Sequence, residues 1–224
     1  MRKKALVASV ISALVIGASG VAGASPIFQD DFNVENAGHE ALNFSSFRHW
    51  RVASGTGTVD LIGNGGRFDF LPGNGLYVDL DGSTGLAGLL QSTPISAPAG
   101  DYILSFDLAG SHRNTIESVI SYFPNEVAPA AKGPVSSLLL DSINVTQILN
   151  IGSDQGFQRY EVPFSLASPG SFNIAFQSIG ENGDNIGALL DNVSVAPVPE
   201  PSTILLLASG FFGAAIYGKR RKVS

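Results

Sequence analysis

Between residues 25 and 197 the chain alternates. Tyr102, Leu104, Phe106 and Leu108 share one face of a run whose other positions include Ser105 and Asp107. Phe172, Ile174 and Phe176 stand against Asn173 and Gln177, and Leu76, Val78 and Leu80 against Tyr77 and Asp79. Tyr160, Val162 and Phe164 repeat the pattern. A period of two marks half-buried strands, because successive side chains on a pleated strand point to opposite faces. Glycine and asparagine clusters at 63–66, 73–75 and 180–187 separate the runs and tolerate the positive φ that turns need. No segment of this region keeps a helical period. The 173 residues are enough for one domain with its own core. The pattern predicts an all-β fold, an antiparallel sandwich or jelly roll of roughly ten strands.

The two ends are patterned differently. Arg2, Lys3 and Lys4 precede an apolar run at 5–16, and small residues then lead to Ala22-Gly23-Ala24. That order is a secretory signal peptide, with small side chains where signal peptidase needs them. The expected cut falls after Ala24 and leaves Ser25 first; the run is short for a membrane span of ~20 residues. At the other end Val198-Pro199-Glu200-Pro201-Ser202-Thr203 precedes an apolar run at 204–217, closed by Lys219, Arg220, Arg221 and Lys222. As a helix that run reaches roughly 21 Å, against a bilayer core of ~30 Å, so it is a short transmembrane segment. The basic cluster is expected to stay cytoplasmic and stop translocation. Pro199 and Pro201 keep the peptide before the run extended. The chain therefore divides into a leader, 1–24, a β-sandwich domain, 25–197, and a C-terminal signal, 198–224.

Pro199-Glu200-Pro201, the apolar helix and the terminal Arg/Lys cluster together resemble the PEP-CTERM sorting signal, also called the ice-binding protein C-terminal domain. The resemblance covers about the last 27 residues. It implies a substrate of an exosortase, a membrane protease, in a Gram-negative bacterium that makes extracellular polysaccharide. It implies recognition at Pro199, Glu200 and Pro201, an inner-membrane precursor, and delivery to the cell surface or matrix.

Charge narrows the function classes. The chain has no cysteine, so no disulfide framework and no thiol chemistry. Residues 25–197 keep six basic residues (Arg48, Arg51, Arg67, Arg113, Lys132 and Arg159) against 18 acidic ones, a net charge of −12. Nucleic acid is excluded as a partner, since phosphate binding needs clustered positive charge. Such a surface suits neutral ligands and cations and repels anionic polymers. His39, His49 and His112 show no zinc spacing, and there is no Gly-x-Ser-x-Gly elbow. Ser111 and His112 are sequence neighbours, which on a strand point to opposite faces. No carboxylate pair stands out as a glycosidase pair. The expectation is a protein that is not an enzyme.

The domain opens Phe28-Gln29-Asp30-Asp31-Phe32-Asn33 and carries Gly100-Asp101-Tyr102-Ile103-Leu104-Ser105-Phe106 in its middle. It closes Leu189-Leu190-Asp191-Asn192-Val193-Ser194-Val195. This resembles the galactose-binding-like jelly roll of many carbohydrate-binding modules. The resemblance implies one structural calcium shared by acids of the first and last strands, at Asp31 and Asp191, with Asp30 and Glu35 as additions. Glu181-Asn182-Gly183-Asp184-Asn185 also has a calcium-like composition but lacks the later bidentate Glu of an EF-hand loop, and reads as a turn. Sugars are held by aromatic faces and polar side chains. Trp50 and Tyr122 are the candidate platforms, with His49, Arg51, Arg113 and Asn114 beside them. The expected function is a non-enzymatic, surface-directed module binding carbohydrate or matrix polymer. A hydrolase of exopolysaccharide and a purely structural matrix protein are the alternatives.

Overall fold

A computed structural model describes residues 24–124, 143–179 and 184–198. Ala22, the Pro199-Glu200-Pro201 motif, the apolar run at 204–217 and the cluster Lys219, Arg220, Arg221 and Lys222 lie outside the described residues, as do Glu181, Asn182 and Gly183. Ala24 and Ser25 open the described chain. Among the described residues no helix is long and apolar enough to cross a membrane.

Thirteen strands are present among the described residues: β1 (Phe28–Asp30), β2 (Trp50–Val52), β3 (Asp60–Gly63), β4 (Leu76–Asp79), β5 (Leu90–Ser92), β6 (Ile95–Ala97), β7 (Gly100–Ala109), β8 (Glu117–Pro124), β9 (Ile143–Ile151), β10 (Gln158–Leu166), β11 (Gly170–Phe172), β12 (Ala175–Ser178) and β13 (Leu189–Pro197). The one helical element described is a 3-10 turn, Glu35–Gly38. The first sheet runs β10-β7-β13-β4-β3, with β1 also paired to β13. The second runs β2-β5-β12-β8-β9, and β6 and β11 form a separate ribbon. The strand pairs are antiparallel.

The alternation in β7 does what its period predicts. Tyr102, Leu104, Phe106 and Leu108 are all buried in the main core. They meet the second sheet there, where Phe106 packs edge-to-face on Phe176 at 4.9 Å between ring centres. Each fully buried Leu or Phe stabilises the fold by about 1.5–3 kcal/mol relative to exposure. The core lies between the two sheets, as a sandwich requires.

Two details differ from the expected strands. Phe172 to Phe176 is not one strand. β11 pairs with β6, β12 pairs with β5 and β8, and the chain changes partner at Asn173. The buried Asn173 amide donates to the Ser92 carbonyl, and Ser92 Oγ accepts the Ile174 N–H, so side chains replace ladder bonds at the crossing. Nor is β4 half-buried. Leu76 and Val78 face the core, and Tyr77 and Asp79 are buried on the opposite face. The loop between β3 and β4 folds back over that outer face. The Tyr77 hydroxyl accepts the N–H groups of Phe70 and Leu71, and Phe68, Phe70, Leu71 and Phe157 cover Ile62, Tyr77, Ala109 and Leu189.

Candidate functional site

The outer face of the first sheet carries a cavity of about 230 Å³. Strand geometry puts charge into it. Asp60 on β3 and Asp79 on β4 are directly opposite in the antiparallel register. Like charges so placed repel, and each is answered by donors. Asp60 Oδ1 accepts the N–H of Asn43 at 2.6 Å and of Ser83 at 3.2 Å, and its Oδ2 accepts the Ser83 hydroxyl at 2.7 Å. Asp79 Oδ1 accepts the Asp81 N–H at 3.0 Å, and its Oδ2 takes an ion pair from Arg113. Arg113 also donates to the Asn185 carbonyl at 2.7 Å and lies 5.2 Å from the centre of the Phe70 ring. Gly187 is required beside this group: a Cβ there would stand 2.5 Å from Asp79 Oδ1 and 2.4 Å from the Asp81 nitrogen.

The cavity is lined by Leu42, Ile62, Phe68 and Phe70 together with Asp60, Asp79, Ser83, Arg113, Asp184 and Asn185. Burial dominates its electrostatics. It pushes Asp79 well above the ordinary carboxylate range against the opposing pull of Arg113. It pushes Asp81 up to about 6, with Asp184 and Glu117 adding repulsion. Glu117 is raised for the same reason, although Thr115 donates to it. Asp81 Oδ1, Arg113 Nε and Asn185 Oδ1 are buried with no hydrogen-bond partner among the described residues. Ser111 Oγ engages Thr115 at 3.0 Å rather than His112.

Most of this site was missed at the level of sequence, where Arg113 was named beside a sugar platform and Asp184 and Asn185 were read as part of a turn. The signal was there. Asp60 interrupts Val59-Asp60-Leu61-Ile62, and Asp79 and Asp81 flank Leu80 at the end of an apolar strand. A charged residue at a strand position covered on both faces needs a partner.

The expected ligand residues are not brought together. Trp50 must be corrected as a platform. It is 3% exposed, wedged among Phe28, Phe32 and Phe176, and its indole N–H donates to Asp30 Oδ2 at 3.0 Å. The alternation of β2 turns Trp50 inward and Arg51 outward, where Arg51 grips Gln91 on β5. His49 is exposed and packs edge-on to Phe28 at 6.2 Å, and Asn114 is exposed on the loop after β7. Tyr122 stands opposite Ala175 in the pairing of β8 with β12.

Asp31 and Asp191 do come close. Burial pushes Asp191 up to about 7, and the charges of Asp107, Asp31 and Asp30 push in the same direction. As they stand these residues do not form a calcium cage. Asp191 Oδ1 accepts the Asn192 N–H at 2.7 Å, and its Oδ2 accepts the amides of Asn74 at 3.1 Å and Asn192 at 3.3 Å. Asp30, raised by burial, holds the Phe32 and Trp50 N–H groups, and exposed Asp31 holds the Asn33 N–H. Glu35 is spent on the Arg48 N–H. Among the described residues no group of three or more His, Asp or Glu is arranged to hold a metal.

A family model described as the PEP-CTERM protein-sorting motif matches residues 197–222. The chain carries that motif, which implies an exported protein processed at the membrane by an exosortase. No curated protein sequence matches the chain. Among solved structures the chain is similar to the CBM22-1 xylan-binding domain of Xyn10C from Paenibacillus barcinonensis, at 11% identity and a TM-score of 0.44, covering 80% of this chain and 98% of that one. It is similar to a cleaved adhesin domain of Lys-gingipain from Porphyromonas gingivalis, at 15% identity and a TM-score of 0.49, covering 77% and 98%. It is also similar to part of an exo-β-1,3-galactanase from Phanerochaete chrysosporium, at 18% identity and a TM-score of 0.37, covering 65% of this chain and 28% of that one.

Proposed function

We propose that the protein is exported behind a removed leader, held by the apolar run at 204–217 and cut near Pro199-Glu200-Pro201. It is delivered to the surface or matrix as a galactose-binding-like jelly roll that holds carbohydrate without cleaving it. The observation that carries this reading is the cavity on the first sheet. It gathers hydroxyl, amide, guanidinium and carboxylate groups around Leu42, Ile62, Phe68 and Phe70. The lining is mostly polar, and polar groups that converge in a concavity fix a ligand's orientation by hydrogen bonds. Exopolysaccharide is the partner that the sorting destination puts within reach.

Hydrolysis has one feature in its favour, the facing pair Asp60 and Asp79. The bonding of the pair supports binding instead. Asp60 spends its two oxygens on three donors, and Asp79 spends its own on the Asp81 N–H and Arg113. The test is calorimetric titration of the protein with neutral oligosaccharides, alongside an assay for released reducing ends. Binding that Phe70→Ala weakens at least tenfold, with no release of reducing ends, is the expected result. Saccharide cleavage would make the protein a hydrolase, and no binding to any oligosaccharide would leave a structural matrix protein.

A further inference from the structure

The chain leaves the sandwich at one end, and the cavity lies at the other. β13 runs antiparallel to β7 and ends where Pro197 pairs with Tyr102. The Val198 N–H then donates to the Asp101 carbonyl at 2.8 Å. Pro199, next in sequence, has no N–H with which to prolong that pairing. The chain enters beside this point, where the Ile27 N–H donates to the Val195 carbonyl at 2.8 Å. Asp79 belongs to the far end, paired with Leu189, which also pairs with Ala109 at the end of β7. The ten residues of β7 put the cavity roughly 30 Å from the exit.

Two properties set the exit end apart. It is built from residues 25–27, 96–101, 166–171 and 196–198, and Asp101 is the one charged residue in those stretches. Elsewhere the domain is crowded with acids. The same end holds an open concavity of about 770 Å³, lined by Ser96, Ala97, Pro98, Pro169, Gly170 and Ser171. Its walls are tied down: the Tyr102 hydroxyl donates to the Pro98 carbonyl at 2.9 Å, and the Ser96 and Ser171 hydroxyls share a hydrogen bond at 2.9 Å. Depletion of charge marks the centre of an interface, because a carboxylate covered without a partner costs free energy.

The length of the tail decides what meets this surface. Residues 199–203 separate Val198 from the apolar run at 204–217. Fully extended, they hold the exit end within roughly 20 Å of that run. An enzyme that grips Pro199-Glu200-Pro201 occupies the gap, so its outward surface lies against the exit end. Lipid is the poorer fit. The four stretches contain no Lys or Arg to meet anionic headgroups and no aromatic ring to anchor at an interface.

We propose that the exit end, centred on the concavity between Pro98 and Pro169, is a docking surface for the membrane protease that reads the sorting motif, and that it meets an uncharged surface of that partner. This rests on the C-terminal signal being processed as proposed above. It adds that the folded domain is recognised together with the tail. The cavity at the far end stays open while the partner is bound.

The experiment follows processing of the full-length chain by pulse-chase in cells that hold the exosortase. Ser168→Glu with Gly170→Glu puts two carboxylates on the surface at exposed positions, and a Cβ at Gly170 meets nothing within 4 Å. Processing should slow on the order of tenfold, with membrane insertion and circular dichroism unchanged. Gly156→Glu, equally open but just before the strand end where Gln158 pairs with Leu108, should leave the rate alone. The chain has no cysteine, so Ser168→Cys supplies a single label site. Maleimide labelling there, on full-length chain in liposomes, should be blocked by inactivated exosortase in the same bilayer. Unchanged processing of the double variant would overturn the docking surface and leave sorting by the tail standing. Equal slowing by Gly156→Glu would overturn it in favour of net charge. Labelling blocked by liposomes without the protease would make this a lipid-facing end and overturn it as well. A chain with Pro199→Ala, Glu200→Ala and Pro201→Ala that matured like the wild type would instead bring down the sorting reading itself.

Discussion

Two pairs of aspartates face each other across strands of the same sheet, and the protein treats them differently. Asp60 and Asp79 are opposite on β3 and β4, and Asp107 and Asp191 are opposite on β7 and β13. The second pair is held by asparagine amides and one exposed arginine. Asn192 bonds both partners, Asn74 bonds Asp191, and Arg159 on β10 lies 3.5 Å from Asp107. A bulge makes this possible: Asn192 adopts a φ of +49°, and the β13 register shifts between Asp191 and Ser194. The first pair has Arg113, stacked on Phe70, and a cavity in front of it. The same local problem thus has a closed solution, made of amides, and an open one, which leaves room for a ligand.

Breaking the open pair should cost most. Arg113→Ala strands the Asp79 carboxylate in a site where Asp79 is 2% exposed. Loss of one partner of a buried pair costs about 3 kcal/mol or more, and urea unfolding should report it. Asp79→Asn in the Arg113→Ala background should recover much of that loss, because the uncompensated charge goes with it. Recovery would separate an electrostatic role for Arg113 from a packing one.

The closed pair should respond less, and its response should depend on pH. Asp191→Ala leaves the amides of Asn74 and Asn192 without their acceptor, for about 1–2 kcal/mol given that both asparagines reach solvent. The pH effect has a definite sign. Burial raises Asp191 to about 7 and Asp81 to about 6 in the folded chain, against 3.8 ordinarily. The folded state then holds protons that the unfolded chain has released, so stability present below pH ~4 is lost as pH rises through 6 and 7. Melting temperature should fall from pH 5 to pH 8, and Asp191→Asn should flatten the upper part of that fall. Arg159→Ala should do least, within about 1 kcal/mol, because its side chain is 50% exposed and its partner is already held by Asn192.

The all-β class and the inward face of β7 were legible because Tyr102, Leu104, Phe106 and Leu108 obey a period that depends only on strand geometry. The sorting motif was legible because it is a contiguous stretch. The cavity was not. Its carboxylates come from Asp60, Asp79 and Asp184, which only the pairing of β3 with β4 and the loops beside them assemble. Period two assigned Tyr77 and Asp79 to solvent, and the fold-back of Phe68, Phe70 and Leu71 buried them. Trp50 misled for a related reason. An isolated tryptophan near polar residues reads as a platform until the core partners Phe28, Phe32 and Phe176 are placed around it.

The central claim is that carbohydrate is held at the open pair. Chemical-shift mapping on the nitrogen-15-labelled protein during titration with the neutral oligosaccharides tests it most directly. The expected result is a saturable set of shifts at the backbone amides of Asp60, Ser83, Arg113 and Asn185, with Asp107, Asp191 and Asn192 unmoved. Shifts confined to Arg51 and Gln91 on the second sheet, or none at saturating oligosaccharide, would contradict it.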